Sequence, residues 1–224
     1  MAIRARSRTP FTPLSPVVRR RPLKRAFDLV TSALLLALSS PLIILIGAVV
    51  RATSDGPALF HQTRVGLGEQ SFVMLKFRTM FDNSTDEPHK NYVNALLSGQ
   101  VVAPDNNGLY KLSSDPRVTG VGTWLRRTSL DELPQLFNVL AGDMSLVGPR
   151  PVLAFEAALM DSDQRTRFAV RPGMTGLWQV SGRSRVSFLE QLVLDERYVR
   201  EQSLRLDLAI LLRTFPAVFS RGTQ

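Results

Sequence analysis

Between Asp28 and Arg51 the chain runs LVTSALLLALSSPLIILIGAVV, from Leu29 to Val50, 22 residues without a charge. As a helix this run is ~33 Å long, against a bilayer hydrocarbon core of ~30 Å. It reads as a membrane helix rather than a buried core helix, where a polar stripe is expected. It is too long for the apolar part of a cleaved signal peptide, and no convincing small-x-small cleavage site follows it. Pro41 interrupts the run after Ser39 and Ser40. Proline removes one backbone donor and frees the carbonyl four residues earlier, that of Ala37, so a bend is expected. Serine hydroxyls satisfy freed groups in lipid, which makes Ser40-Pro41 a membrane hinge. By pattern alone a kinked spanning helix is favoured over one that enters and leaves on the same side.

Past Arg51 the pattern shortens to that of an α/β domain. Asp55-Gly56-Pro57 marks a turn, followed by strands over Ala58–Gln62 and Ser71–Met80 joined by a loop holding Gly66 and Gly68. Alternation places Phe72, Met74, Lys76 and Arg78 on one face of the second strand, so two cations project together. A blunted edge strand gives the same pattern. Residues 82–116 are polar and turn-rich, a surface excursion. Leu130, Leu133, Phe137 and Leu140 recur at helical spacing. Ser129-x-x-Glu132 fits a capping box at the helix start, and Asp131 would complement the dipole. Pro134, however, falls where such a helix needs backbone donors, so the turn carrying Asp131 and Glu132 is expected to be irregular. The tail from Val186 to Phe219 is amphipathic, suited to packing on the domain or lying on a membrane surface.

Charge changes the picture at the N-terminus. The 224 residues carry a net charge of +9, 44% hydrophobic residues and no cysteine. Residues 1–27 hold eight basic side chains and no acid, whereas the rest holds 20 basic and 19 acidic ones. This basic arm, broken by Pro10, Pro13, Pro16 and Pro22, cannot form a core of its own. Nucleic-acid phosphates and an anionic leaflet both suit it; the adjoining apolar run selects the membrane and excludes nucleic acid. The missing cysteines exclude thiol nucleophiles and Cys-ligated metals. His61 and His89 are too far apart for a histidine metal site.

Candidate chemistry lies in three clusters. Asp131 and Glu132 follow Arg126 and Arg127, and adjacent carboxylates beside arginines suit a divalent cation and a phosphate. Gly148-Pro149-Arg150-Pro151 brackets an arginine with prolines, presenting its fork at little entropic cost for a phosphate. RPGMTGLWQVSGR, from Arg171 to Arg183, combines glycines that allow close backbone approach with a tryptophan and flanking arginines. There is no P-loop and no GxGxxG. Asp161-Ser162-Asp163 spells a DxD, a pattern a solvated turn also gives.

The order of Ser40-Pro41, KFRTM, SDPRVTGVG, RRTSLDELPQL, MSLVGPRP and RPGMTGLWQVSGR resembles the bacterial sugar transferase family, the monotopic polyprenyl-phosphate phosphoglycosyl transferases. The likeness covers roughly residues 22–219 and points to a short, catalytic-core, exopolysaccharide-initiating form. It implies transfer of a sugar 1-phosphate from a UDP-sugar, with glucose or galactose favoured, to polyprenyl (undecaprenyl) phosphate with release of UMP. It implies that Asp131 is the nucleophile and is associated with Mg²⁺, with Glu132 beside it. Arg150, Arg126, Lys76 and Arg78 become phosphate-binding candidates, and Gln179, Gly182 and Arg183 nucleotide-binding candidates. Three segments follow: a basic arm over 1–22 facing anionic lipid, a re-entrant membrane helix over 23–51 and a catalytic domain over 52–219 ending in interfacial helices. The implied location is the cytoplasmic face of the bacterial inner membrane, because nucleotide sugars are cytosolic and the arm prefers the inside. Two other readings stay open on residues alone: a membrane-bound Mg²⁺-dependent phosphohydrolase, and a non-enzymatic basic membrane-tethered binding protein.

Overall fold

The apolar run forms the centre of a single 32-residue helix, α1 (Pro22–Thr53), in a computed structural model that describes residues 21–81, 115, 117–182 and 186–219. Pro22 opens α1 at a position where a missing N–H costs nothing. Pro41 lies inside it, and Ser40 Oγ donates to the freed Ala37 carbonyl at 2.9 Å, while Ser39 Oγ donates to Leu35 at 2.7 Å. The repair of the freed carbonyl expected of the serines is therefore present. Lys24, Asp28, Ser32, Ile46 and Val50 are buried along one face, spaced by multiples of helical turns. Leu34, Leu38, Ile44 and Leu45 on the other side are exposed.

Among the described residues the body is a mixed α/β structure with two small sheets. Strands β1 (Leu59–Val65) and β2 (Ser71–Phe77) form an antiparallel hairpin, with Phe60 opposite Lys76 and Gln62 opposite Met74. The first strand runs three residues beyond the expected end and the second stops three residues short of it. Beyond Phe77 the chain leaves the ladder, and Met80 makes an isolated bridge to Val118. Helix α2 (Gly120–Thr128) follows, capped by Thr119, whose Oγ1 accepts from Gly122 N at 2.9 Å. A 3₁₀ turn, Leu130–Glu132, leads into α3 (Gln135–Ala141) and then β3 (Ser145–Val147). After α4 (Ala154–Leu159) and a 3₁₀ segment over Gln164–Ala169, strand β4 (Gly173–Thr175) pairs parallel to β3. The chain ends in α5 (Leu177–Ser181), α6 (Phe188–Glu201) and α7 (Leu204–Phe219). The 82–116 excursion lies outside the described residues apart from Asp115.

Two apolar clusters hold α1 to this body. Phe27 and Leu36 pack on the main core around Leu136, Met144, Leu146 and Tyr198. Ile43, Ile46 and Val50 pack with Phe77 and Leu125. Arg25 donates to the carbonyls of Val139 and Leu140, at 2.6 and 2.9 Å, satisfying the end of α3 just before left-handed Gly142. Two cations counted with the arm, Lys24 and Arg25, thus belong to the folded body.

Candidate active site

Strand β2 supplies the first cation. Lys76, next to the last residue of the strand, points its Nζ to Glu132 Oε1 at 2.9 Å. Arg78, expected on the same face, goes elsewhere. Its Nε donates to the Pro57 carbonyl at 2.7 Å, and its guanidinium nitrogens donate to the carbonyls of Ser54, Asp55 and Gly56. All four acceptors lie in the turn that follows α1, so Arg78 is buried as the clasp of that turn rather than presented beside Lys76.

Thr79 takes over the role of fixing the next cation. Its hydroxyl accepts from Arg126 Nε at 2.9 Å, and its carbonyl accepts from Thr119 N at 3.0 Å. The start of α2 sits so close to Thr79 that a Cβ at Gly122 would lie 2.1 Å from its carbonyl oxygen. Glycine is required there by space. Neither Thr79 nor Gly122 was singled out by sequence pattern, although each lies in a motif, KFRTM and TGVG, that carried the resemblance.

The capping box expected at Ser129 does not form. Ser129 is left-handed at φ 55° and its side chain caps nothing. The following turn is 3₁₀, the irregularity that Pro134 foretold, and it frees Glu132 to face Lys76 and, at 3.7 Å, Arg150 NH1. Asp131 is half-buried and takes part in no hydrogen bond or close ion pair among the described residues. Burial pushes its carboxyl above the usual carboxylate range; Lys76 draws it back, the Glu132 charge pushes it up again, and Arg126 and Arg150 draw it back. An unbonded carboxylate within electrostatic reach of three cations is suited to attack on a phosphorus centre.

Arg150 arrives from the other side. Gly148 N donates to the Thr175 carbonyl at 2.9 Å, and a Cβ at Gly148 would lie 2.4 Å from the Arg171 carbonyl, so β3 and β4 pinch the loop tightly. Gln179, on α5 just past β4, donates from Nε2 to the Met174 carbonyl at 3.3 Å while its buried Oε1 has no partner. Gly182 caps the end of α5, and Arg183 lies outside the described residues. Asp161 of the DxD accepts from the backbone of Asp163 and Gln164 at 3.0 and 2.9 Å, so it closes an exposed turn.

Among the described residues no group of three or more acidic or histidine side chains gathers to enclose a metal. Asp131 and Glu132 are two adjacent carboxylates, a donor set that fits Mg²⁺ when substrate phosphates complete the shell.

Residues 19–221 match the family described as bacterial sugar transferase. The chain is 44% identical over 205 residues to an exopolysaccharide production protein, ExoY, of Rhizobium meliloti, covering 89% of this chain and 87% of the relative. It is 42% identical over 205 residues to a UDP-glucose:undecaprenyl-phosphate glucose-1-phosphate transferase of Caulobacter vibrioides, covering 88% and 70%. It is 44% identical over 200 residues to an undecaprenyl-phosphate galactose phosphotransferase of Salmonella typhimurium, covering 89% of this chain and 41% of that protein. Carrying an unbonded aspartate carboxylate near three cations beside a long apolar helix, the chain belongs to the bacterial sugar transferase family.

Proposed function

We propose that this enzyme transfers glucose or galactose 1-phosphate from the UDP-sugar to undecaprenyl phosphate on the cytoplasmic face of the membrane, starting exopolysaccharide assembly. The observation that carries the chemistry is the unbonded Asp131 carboxylate facing Lys76, Arg126 and Arg150. An Asp131 oxygen attacks the β-phosphorus; the bond from that phosphorus to the bridging oxygen breaks, and UMP departs with the electron pair. The resulting aspartyl phosphosugar is attacked by an oxygen of the lipid phosphate, which forms the lipid diphosphate sugar and returns the carboxylate. Lys76, Arg126 and Arg150 neutralise the equatorial oxygens during both displacements. Asp131 and Glu132 would hold Mg²⁺, which supplies charge neutralisation to the diphosphate.

Both ends of α1 dock on the same body, through Lys24 and Asp28 at one end and Ile46 and Val50 at the other. A helix that crossed the bilayer would part these contacts, so they support re-entry at Ser40-Pro41. The exposed row Leu204, Leu208 and Leu212 on α7 offers a second apolar surface to the interface. The unbalanced arginines of the arm favour anionic lipid on the inner leaflet.

The test is incubation with labelled UDP-glucose or UDP-galactose without lipid acceptor. A phosphosugar adduct should accumulate on the peptide containing Asp131, vanish on addition of undecaprenyl phosphate, and be absent in Asp131→Asn. Wild-type turnover in Asp131→Asn overturns the covalent route, and free sugar phosphate as the product would indicate a phosphohydrolase.

A further inference from the structure

The two prolines that present Arg150 also deprive its loop of backbone donors, so the loop is held by its carbonyls. Four consecutive carbonyls are each engaged. Pro149 accepts from Gly173 N at 2.9 Å and Val152 from Val65 N at 2.8 Å. Between them, Arg150 accepts from Arg167 NH2 at 2.6 Å and Pro151 from Arg64 NH1 at 3.2 Å. The donor nearest the functional side chain is thus a guanidinium, itself paired with Asp195 Oδ2 at 2.7 Å. Arg167 is only 5% exposed and Asp195 1%. Arg150 and Arg167 line one small cleft together with Val65 and Pro149.

We infer that Arg167, oriented by Asp195, is a positioning residue that sets where Arg150 presents its fork to substrate phosphate. The inference rests on the reading of Arg150 as a phosphate ligand. Backbone amides could have anchored the loop through ordinary β pairing, but proline at 149 and 151 rules them out at those positions. One guanidinium nitrogen, Arg167 NH2, makes both contacts: it donates to the Arg150 carbonyl and lies in ion-pair contact with Asp195 Oδ2, whose buried carboxylate oxygens accept no hydrogen bond among the described residues, so the carboxylate holds the guanidinium by charge. Burial pushes the Asp195 carboxyl up to about 6 against the pull of Arg167 and then Arg150, so at neutral pH the carboxylate is ionised. A purely structural role is the competing account, since the same pair ties α6 to the segment 164–169 that precedes β4.

The two accounts part in a double-mutant cycle on single-turnover UMP release by the full-length protein in membranes, with thermal stability measured on every variant. Arg167→Lys should lower kcat/KM for the UDP-sugar by on the order of tenfold to a hundredfold, the scale of a misplaced catalytic contact. Combined with Arg150→Ala it should cost nothing further, because there is no fork left to place. Losses that multiply, or an unchanged rate in Arg167→Lys, overturn the inference. A wild-type rate in Arg150→Ala overturns instead the reading on which it rests. If Arg167→Lys does not fold, Asp195→Asn takes its place in the cycle, with the same outcomes deciding.

Discussion

Lys24 Nζ and Asp207 Oδ2, 183 positions apart, lie 2.8 Å from each other with both side chains almost wholly buried. The pair joins the start of the apolar helix α1 to the terminal helix α7. Tyr198 donates to the other Asp207 oxygen at 2.6 Å. One turn along α1, Asp28 accepts from Ser145 Oγ at 2.8 Å and from Leu146 N at 3.2 Å. A polar network therefore couples the membrane helix to β3, the strand that delivers the Arg150 loop.

Removing one member of such a pair leaves the other charge buried alone, at a cost of about 3–5 kcal/mol. Lys24→Met should lose stability on that scale in detergent-solubilised protein. Lys24→Met with Asp207→Leu, which removes both charges, should recover a large part of it. Equal unfolding temperatures for wild type and Lys24→Met would remove the pair from any account of how α1 docks.

Lys76 and Arg78 look equivalent in a strand pattern and should behave oppositely. Arg78→Lys breaks several bonds from a buried charged group to the turn over Ser54–Pro57, each worth roughly 1.5–3 kcal/mol. The melting temperature should drop while the folded fraction keeps its kcat/KM. Lys76→Met should do the reverse, slowing transfer tenfold or more, the scale of about 1.4 kcal/mol of lost transition-state stabilisation, with little change in stability. Measuring rate and melting temperature on both variants distinguishes the roles.

This contrast shows what was legible in the sequence. The apolar run, its serine repair of Pro41, the hairpin, the irregular turn at Asp131 and the Pro-Arg-Pro loop all follow from local rules of charge, periodicity and proline chemistry. The fate of Arg78 does not, because its acceptors are carbonyls more than twenty residues upstream, and a carbonyl carries no sequence signature. Ser129 misled for a related reason: the capping pattern is local, whereas Glu132 is claimed by Lys76 from 56 positions away. Arg167 and Asp195 were invisible, since charged residues in a polar stretch read as surface until the fold buries them.

Asp195 also gives a pH signature. Its folded value of about 6 lies above the ~4 of an unfolded aspartate, so the native state keeps a proton that the unfolded chain has already released. The stability this group confers is full below about pH 4 and is lost as pH rises through about 6. Asp195→Asn lacks this titration. Wild-type stability relative to that variant should therefore decline by on the order of 3 kcal/mol between about pH 4 and pH 7, then level off. A difference that is constant with pH, read by thermal unfolding in matched buffers, would falsify the assignment.

Topology is the sharpest test of how α1 uses its proline. In the native helix Pro41 offers no N–H to Ala37, and Ser40 Oγ supplies the substitute at 2.9 Å. Ser40→Leu with Pro41→Leu restores the backbone bond and lengthens the unbroken apolar surface, which favours a helix that spans. The arginines of the arm hold the N-terminus inside in either case. Spanning would then carry the body outward, away from cytosolic nucleotide sugar, and break the Lys24–Asp207 and Asp28–Ser145 contacts. The absence of cysteine allows single reporters, one at Ser7 in the arm and one at exposed Asp161 in the body. In intact cells neither should react with an impermeant maleimide in the otherwise native protein, and both should react after lysis. In the double-leucine variant the Asp161 reporter should become reactive from outside in a fraction of molecules, with transferase activity reduced by that same fraction. Labelling of the Asp161 reporter in the otherwise native protein would instead mean that the helix crosses, and re-entry would have to be abandoned.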